Sequence, residues 1–153
     1  MERVIGVISD THGLLRPEAA RKLQGCSLII HAGDIGEIAV LEQLQQIAPV
    51  IAVRGNTDKG PWALRLKQTE YVAYEGRRFF VLHDISQLAL DPKAAGVEAV
   101  IFGHSHEPSA TMKDGILFLN PGSAGPRRFS LPVSMAYLRI TEKGLLPQFF
   151  ELK

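Results

Sequence analysis

A single cysteine, Cys26, among 153 residues excludes an internal disulfide, and with it the stapled, loop-rich frameworks of small secreted domains. Beside Leu28-Ile29-Ile30 it reads as a small buried filler rather than a nucleophile. Neither sign of charge is in excess: seventeen Lys and Arg stand against sixteen Asp and Glu, with no basic run to track a polyphosphate backbone. Long nucleic acid is therefore disfavoured as the main partner, whereas a small phosphate ester is not. No apolar stretch approaches the roughly 20 residues that cross a bilayer. The chain also enters directly on Arg3-Val4-Ile5-Gly6-Val7, without a basic-then-apolar leader. The expectation is a soluble, cytoplasmic protein without a membrane partner. No repeat, linker or low-complexity tract divides the chain, so residues 1–153 are expected to form one domain with a substantial core.

What the chain does have is a set of short apolar runs, each ending in a polar cluster. Val4 to Ile8 leads to Asp10-Thr11-His12, Leu28 to Ile30 to Gly33-Asp34, Val50 to Val53 to Gly55-Asn56, and Ala99 to Phe102 to Gly103-His104-Ser105-His106. Runs this short, β-branched and without polar alternation read as buried strands. Between them, Pro17 to Leu23 predicts a short helix with proline in its first turn. Glu37 to Ile47 predicts a longer one, with Ile38, Leu41, Leu44 and Ile47 on one face.

Beyond Gly60-Pro61 the pattern turns to a hairpin, Glu70 to Tyr74 and Arg78 to His83, where parallel pairing is expected to give way to antiparallel. A weaker helix is predicted over Ser86 to Ala95. Strands follow at Glu98 to Phe102, Ala110 to Lys113, Ile116 to Leu119, Val133 to Thr141 and Gln148 to Leu152, with a long functional loop from Asn120 to Pro132. The fold class these elements compose is α/β: a two-sheet sandwich of mixed parallel and antiparallel strands with flanking helices.

Asp10 and His12 are two residues apart, as are His104 and His106, so in extended backbone each pair projects to one side. With Asp34, Asn56 and His83 the donors are all oxygen or nitrogen, a set suited to Mn, Fe, Zn or Ni rather than to a thiolate-preferring ion or an all-oxygen calcium cage. Each residue alone admits a cap or turn role. Together they exceed one tetrahedral site and can fill two adjacent sites if a carboxylate bridges, an arrangement suited to displacement at phosphorus.

In order and spacing these residues resemble the calcineurin-like metallophosphoesterase superfamily, with its D-x-H, G-D, G-N-x-[DE], H and G-H-x-H pattern. The small size and Asn120-Pro121-Gly122-Ser123 narrow the resemblance to the compact YfcE-like phosphodiesterases. The resemblance implies that Asp10, His12 and His106 hold one divalent ion, that Asn56, His83 and His104 hold a second, and that Asp34 bridges them. It further implies attack on a phosphodiester by a bridging hydroxide, with Asn56, Asp34 and His104 at the reacting centre. Manganese is the expected ion, with nickel, zinc, iron and magnesium as alternatives. Asn56 would also orient a phosphate oxygen, and Arg54 and Arg127 are further candidates for substrate contact, each against the plainer reading of a carboxylate partner or a solvated cation.

Two positions depart from the pattern. Thr57 stands after Asn56 where larger relatives place a histidine that assists the leaving group, and a threonine hydroxyl is too weak an acid to replace it. Asp84 follows His83 where relatives place glycine, and reads either as an acceptor for an imidazole N–H or as a solvated loop acid. His31, outside the pattern, reads as a core or supporting residue, and Trp62 and Leu64 as core. The rival to the enzyme is a metal-binding interaction scaffold of the same fold, as in the retromer sorting complex, and the resemblance also allows a homo-oligomer.

Overall fold

A computed structural model describes residues 3–153 as two five-stranded sheets packed face to face, with helices on one outer side. The first sheet is built from β1 (Arg3–Ile8), β2 (Leu28–His31), β3 (Val50–Ala52), β9 (Ser134–Thr141) and β10 (Gly144–Glu151) in the order β10-β9-β1-β2-β3. The second contains β4 (Thr69–Tyr74), β5 (Arg77–Leu82), β6 (Ala99–Ile101), β7 (Ser109–Lys113) and β8 (Ile116–Asn120) in the order β4-β5-β6-β8-β7. Alternation along β1 explains the layering. Ile5 and Val7 face the second sheet and pack with Phe79, Val81, Ile101 and Leu119, while Ile8 packs outward with Leu23 of α1 (Pro17–Leu23) and Leu44 of α2 (Ile38–Gln45). Each fully buried side chain of this size contributes about 1.5–3 kcal/mol. No helix among the described residues is long and apolar enough to cross a membrane.

Strand register brings the polar clusters to one end. In the first sheet Ile8 pairs with His31 and His31 with Ala52, all parallel, so the segments leaving β1, β2 and β3 start level with one another. The second sheet repeats this with Val81, Ile101 and Leu119. Six strand ends thus open on the same edge of the sandwich, the edge where ligands bind in open α/β sheets. The expected switch to antiparallel pairing beyond Gly60 holds for β4-β5, β7-β8 and β9 with both β1 and β10, but β5, β6 and β8 run parallel to one another.

The helix predicted over Ser86 to Ala95 does not form; a 3-10 turn at Ile85–Gln87 and further turns replace it. The carboxylates of Asp84 and Asp91 accept from the backbone N–H groups of Ser86 and Lys93, and each starts a fresh turn. Pro92 removes a donor that a helix there would need. Ile85, Leu88 and Leu90 nevertheless cover the outer face of the second sheet, against Phe80, Leu82 and Val100. The last strand is longer than expected and begins at Gly144.

Candidate metal centre

Five of the seven predicted donors sit in left-handed backbone: Asp10 at φ 55°, His12 at 46°, Asp34 at 57°, His104 at 74° and His106 at 65°. This corrects the expectation that the two pairs share a side through extended backbone. Each donor instead turns the chain sharply at a strand end, at a cost of order 1 kcal/mol or more per residue that the surrounding contacts must hold in place.

Backbone hydrogen bonds join the first two turns, from Asp10 N to Gly33 O (3.0 Å), His12 N to Asp34 O (3.0 Å) and Gly13 N to Ile35 O (2.7 Å). Side chains outside the predicted set tie the rest. Asp58 accepts from the N–H groups of Gly36 and Gly55, both at 2.9 Å. Asn120 donates to Gly103 O, and Ser123 donates to Asp10 O at 3.0 Å. Ser123 is thereby occupied in support, and Asn120-Pro121-Gly122-Ser123 buttresses the site mainly through its polar side chains.

The carboxylates divide their oxygens between fold and centre. Asp10 Oδ2 accepts from Ser9 Oγ (2.7 Å) and from His104 N (3.1 Å). Its Oδ1 is buried without a hydrogen-bond partner, 3.4 Å from His106 Nε2 and 3.8 Å from both His12 Nε2 and His83 Nε2. Asp34 Oδ1 accepts from Thr57 N at 2.9 Å, and Oδ2 lies 3.2 Å from His83 Nε2 and 3.8 Å from His12 Nε2. The imidazoles form two pairs around these oxygens. His12 stacks on His106 with ring centroids 5.4 Å apart, and His83 meets His104 edge-on at 5.1 Å.

Two groups can each hold a cation, Asp10 with His12 and His106, and Asp10 with Asp34 and His83. Orphaned polar atoms at Asp10 Oδ1, His12 Nε2 and His106 Nδ1 fit an occupant that supplies positive charge, because a bare buried carboxylate oxygen is costly without one. His104 joins through its Nδ1, 3.3 Å from His83 Nε2. Asn56 is exposed and stands at the rim, in a cleft of about 230 Å³ lined with Arg54, Gln68, His83, Asp84 and Gln87.

Arg54 has no carboxylate partner among the described residues and lines that cleft. Arg127 is exposed, whereas the charge of the neighbouring Arg128 reaches His106 and helps lower its pKa, after burial. Leu64, expected in the core, is 75% exposed, while Trp62 packs partly buried against α2.

Burial works against charge on Asp34, but hydrogen bonds from His83 and from Thr57 N–H outweigh it and hold the carboxyl well below the usual range. Burial likewise opposes charge on His83, and the Asp34 hydrogen bond with the Asp10 charge raises its pKa nonetheless. His31 takes the opposite course, with burial driving it down to about 3 and His83 adding to the effect.

Thr11 Oγ donates to Ile35 O, so it accepts from His31 Nε2 at 3.0 Å, and His31 Nδ1 accepts from Gly33 N. The neutral ring therefore ties the first turn to the second. Unfolded histidine protonates near pH 6.5 while folded His31 does not, so stability present above that pH is lost as pH falls toward 3. His106, also lowered, acts in the same sense. His83, being raised, contributes fully below pH 6.5 and loses its contribution at higher pH. His31 alone is expected to make metal-free protein about 2 kcal/mol less stable at pH 5 than at pH 7 in urea denaturation. The same loss between pH 7 and pH 5 in His31→Gln as in wild type would contradict a neutral buried His31.

A family model described as the calcineurin-like phosphoesterase superfamily domain matches residues 4–143. A probable metallophosphoesterase of Methanocaldococcus jannaschii is 37% identical over 133 residues, covering 78% of this chain and 67% of the relative. The solved structure of an archaeal phosphodiesterase superimposes with a TM-score of 0.84 at 26% identity, over 97% of this chain and 99% of that one. Vacuolar protein sorting 29 from Cryptosporidium parvum, at 19% identity, shares the fold with a TM-score of 0.83 over 99% of this chain and 92% of its own.

Proposed function

This chain belongs to the calcineurin-like phosphoesterase superfamily, and we propose that within it the protein is a two-ion phosphodiesterase acting on a small phosphodiester. The observation that carries the reading is the pair of carboxylate oxygens, Asp10 Oδ1 and Asp34 Oδ2, set among His12, His83 and His106 at 3.2 to 3.8 Å, with His104 beside His83. Asp10, His12 and His106 would hold one ion, and His83, His104 and Asn56 the other. Asp34 Oδ2, facing both His12 and His83, would bridge.

Two divalent ions held there, manganese first among the candidates, would supply an acidified water and positive charge at phosphorus. The chain's own share is to hold the two carboxylates with one oxygen each turned inward, and to keep His83 in a single tautomer by donating from Nδ1 to Ala32 O at 2.7 Å. At the rim, Asn56 and the unpaired Arg54 would bind non-bridging phosphate oxygens, and the adjoining cleft would seat one esterifying group. The cleft's Gln68, Thr69, Asp84 and Gln87 favour a polar group there. The alternative, an interaction scaffold of the same fold, has the sorting-protein likeness in its favour; the complete donor set favours the enzyme.

The leaving group has no imidazole to protonate it. Thr57 is exposed, and its N–H is already committed to Asp34. A general acid is worth about 10²–10⁴-fold, so esters of acidic alcohols should be preferred. Manganese-loaded protein is expected to hydrolyse aryl phosphodiesters at least about 100-fold faster than matched alkyl diesters. Equal rates would contradict the assignment, and failure of every metal form to turn over any ester would favour the scaffold.

A further inference from the structure

The ring of His83 shows how an imidazole in this centre is held. Its Nδ1 donates to Ala32 O at 2.7 Å, which leaves Nε2 free to face Asp34 and His104. His104 presents the mirror arrangement, with Nδ1 turned inward, 3.3 Å from His83 Nε2, and Nε2 turned outward. Its outward nitrogen faces Asp84 Oδ2 at 3.8 Å, an ion-pair distance; the partners' side chains are 46% and 26% exposed.

Asp84 divides its oxygens as Asp10 and Asp34 do. Oδ1 accepts from Ser86 N (3.0 Å) and Ser86 Oγ (2.8 Å), which fixes the carboxylate against the backbone. Its other oxygen is the one that faces His104. In place of a solvated loop acid, Asp84 is thus a turn cap through one oxygen and an ion-pair neighbour of His104 through the other.

We propose that Asp84 is a positioning residue for His104: the charge of its Oδ2, 3.8 Å from Nε2, draws the ring proton to Nε2 and so favours the tautomer whose Nδ1 lone pair faces His83 Nε2. Asp84 would thereby strengthen binding of an ion held by the two imidazoles. The inference rests on the two-ion reading above. Outer partners of metal-bound histidines are worth about 10–100-fold in metal affinity, and the exposure of this pair sets the expectation at the lower end.

The test is calorimetric titration of Mn²⁺ into metal-stripped wild-type, D84N and S86A proteins, with thermal unfolding to confirm that each is folded. D84N keeps an oxygen to cap Ser86 but loses the charge, so one of its two binding steps is expected to weaken about tenfold while the other is unchanged. S86A removes part of the cap and keeps the charge, so both of its steps are expected to stay within about twofold of wild type. Wild-type affinities in D84N, equal weakening of both its steps, or a matching loss in S86A would each overturn the positioning role. Wild-type protein that takes up only one ion would overturn the two-ion reading itself, so the two failures are distinguishable.

Discussion

Replacing Asp34 by alanine is expected to lower phosphodiester turnover by at least about 10³-fold, the scale on which loss of preorganised electrostatics acts, and to reduce bound metal by one or both ions. The expectation follows from where its oxygens lie. Oδ1 accepts from Thr57 N and fixes the turn, while Oδ2 stands between His12 and His83, the two imidazoles that Oδ1 of Asp10 also faces. Truncation removes the inward oxygen and leaves two imidazoles without it. Thr57→Ala is the matched control, because the N–H that orients Asp34 survives the change and the hydroxyl is too weak an acid to act on the leaving group. Its turnover is expected to stay within about threefold of wild type, since few losses beyond a weak hydrogen bond follow. Metal content by elemental analysis and steady-state rates check both variants. Normal turnover in D34A would refute the bridging assignment.

The second large effect concerns a residue with no side chain. A Cβ at Gly55 would collide with Oδ1 and with the backbone nitrogen of Asp34. Since backbone cannot yield cheaply, Gly55→Ala is expected to cost about 3 kcal/mol, the upper range for overpacking. It is also expected to lower turnover by about 100-fold, because a displacement of about 1 Å at such a site costs that much. Urea denaturation and steady-state kinetics test this. Stability and rate both at wild-type levels would contradict the close approach. Gly103 is under the same constraint, since a Cβ there would meet Ser9 Oγ and, at 2.7 Å, Asp10 Oδ2. The glycines of Gly55-Asn56 and Gly103-His104 are thus needed for backbone proximity to the two carboxylates.

The strands and the place where their ends converge were legible because apolar, β-branched runs and the polar residues that close them are local features. Seven donors could be named for the same reason, and six of them stand close together in the structure, with Asn56 at the rim. What holds them was not legible. His31 reads as a core histidine until Thr11 and Gly33 are seen to bracket its ring, and Asp58 reads as the end of a motif until Gly36 and Gly55 are seen to donate to it.

Such contacts join segments far apart in sequence, and no local pattern announces them. The left-handed turns at Asp10, His12, Asp34, His104 and His106 are hidden for a related reason. Local propensity disfavours them, and only the surrounding hydrogen bonds make them the lowest-energy arrangement. The missing helix after Ile85 is the opposite case. Asp84, Asp91 and Pro92 are all visible in the sequence, and the two aspartate caps together with the missing proline donor decide the backbone there.

Everything proposed for the chemistry depends on two ions acting together between Asp10 and Asp34. The most direct measurement is a titration of metal-stripped protein with Mn²⁺, following bound ion by calorimetry and hydrolysis of an aryl phosphodiester in the same samples. Uptake of two ions per chain is expected, with turnover rising only as the second is bound, as joint action of the two ions requires. Full turnover at one equivalent, or in the metal-free protein, would contradict it.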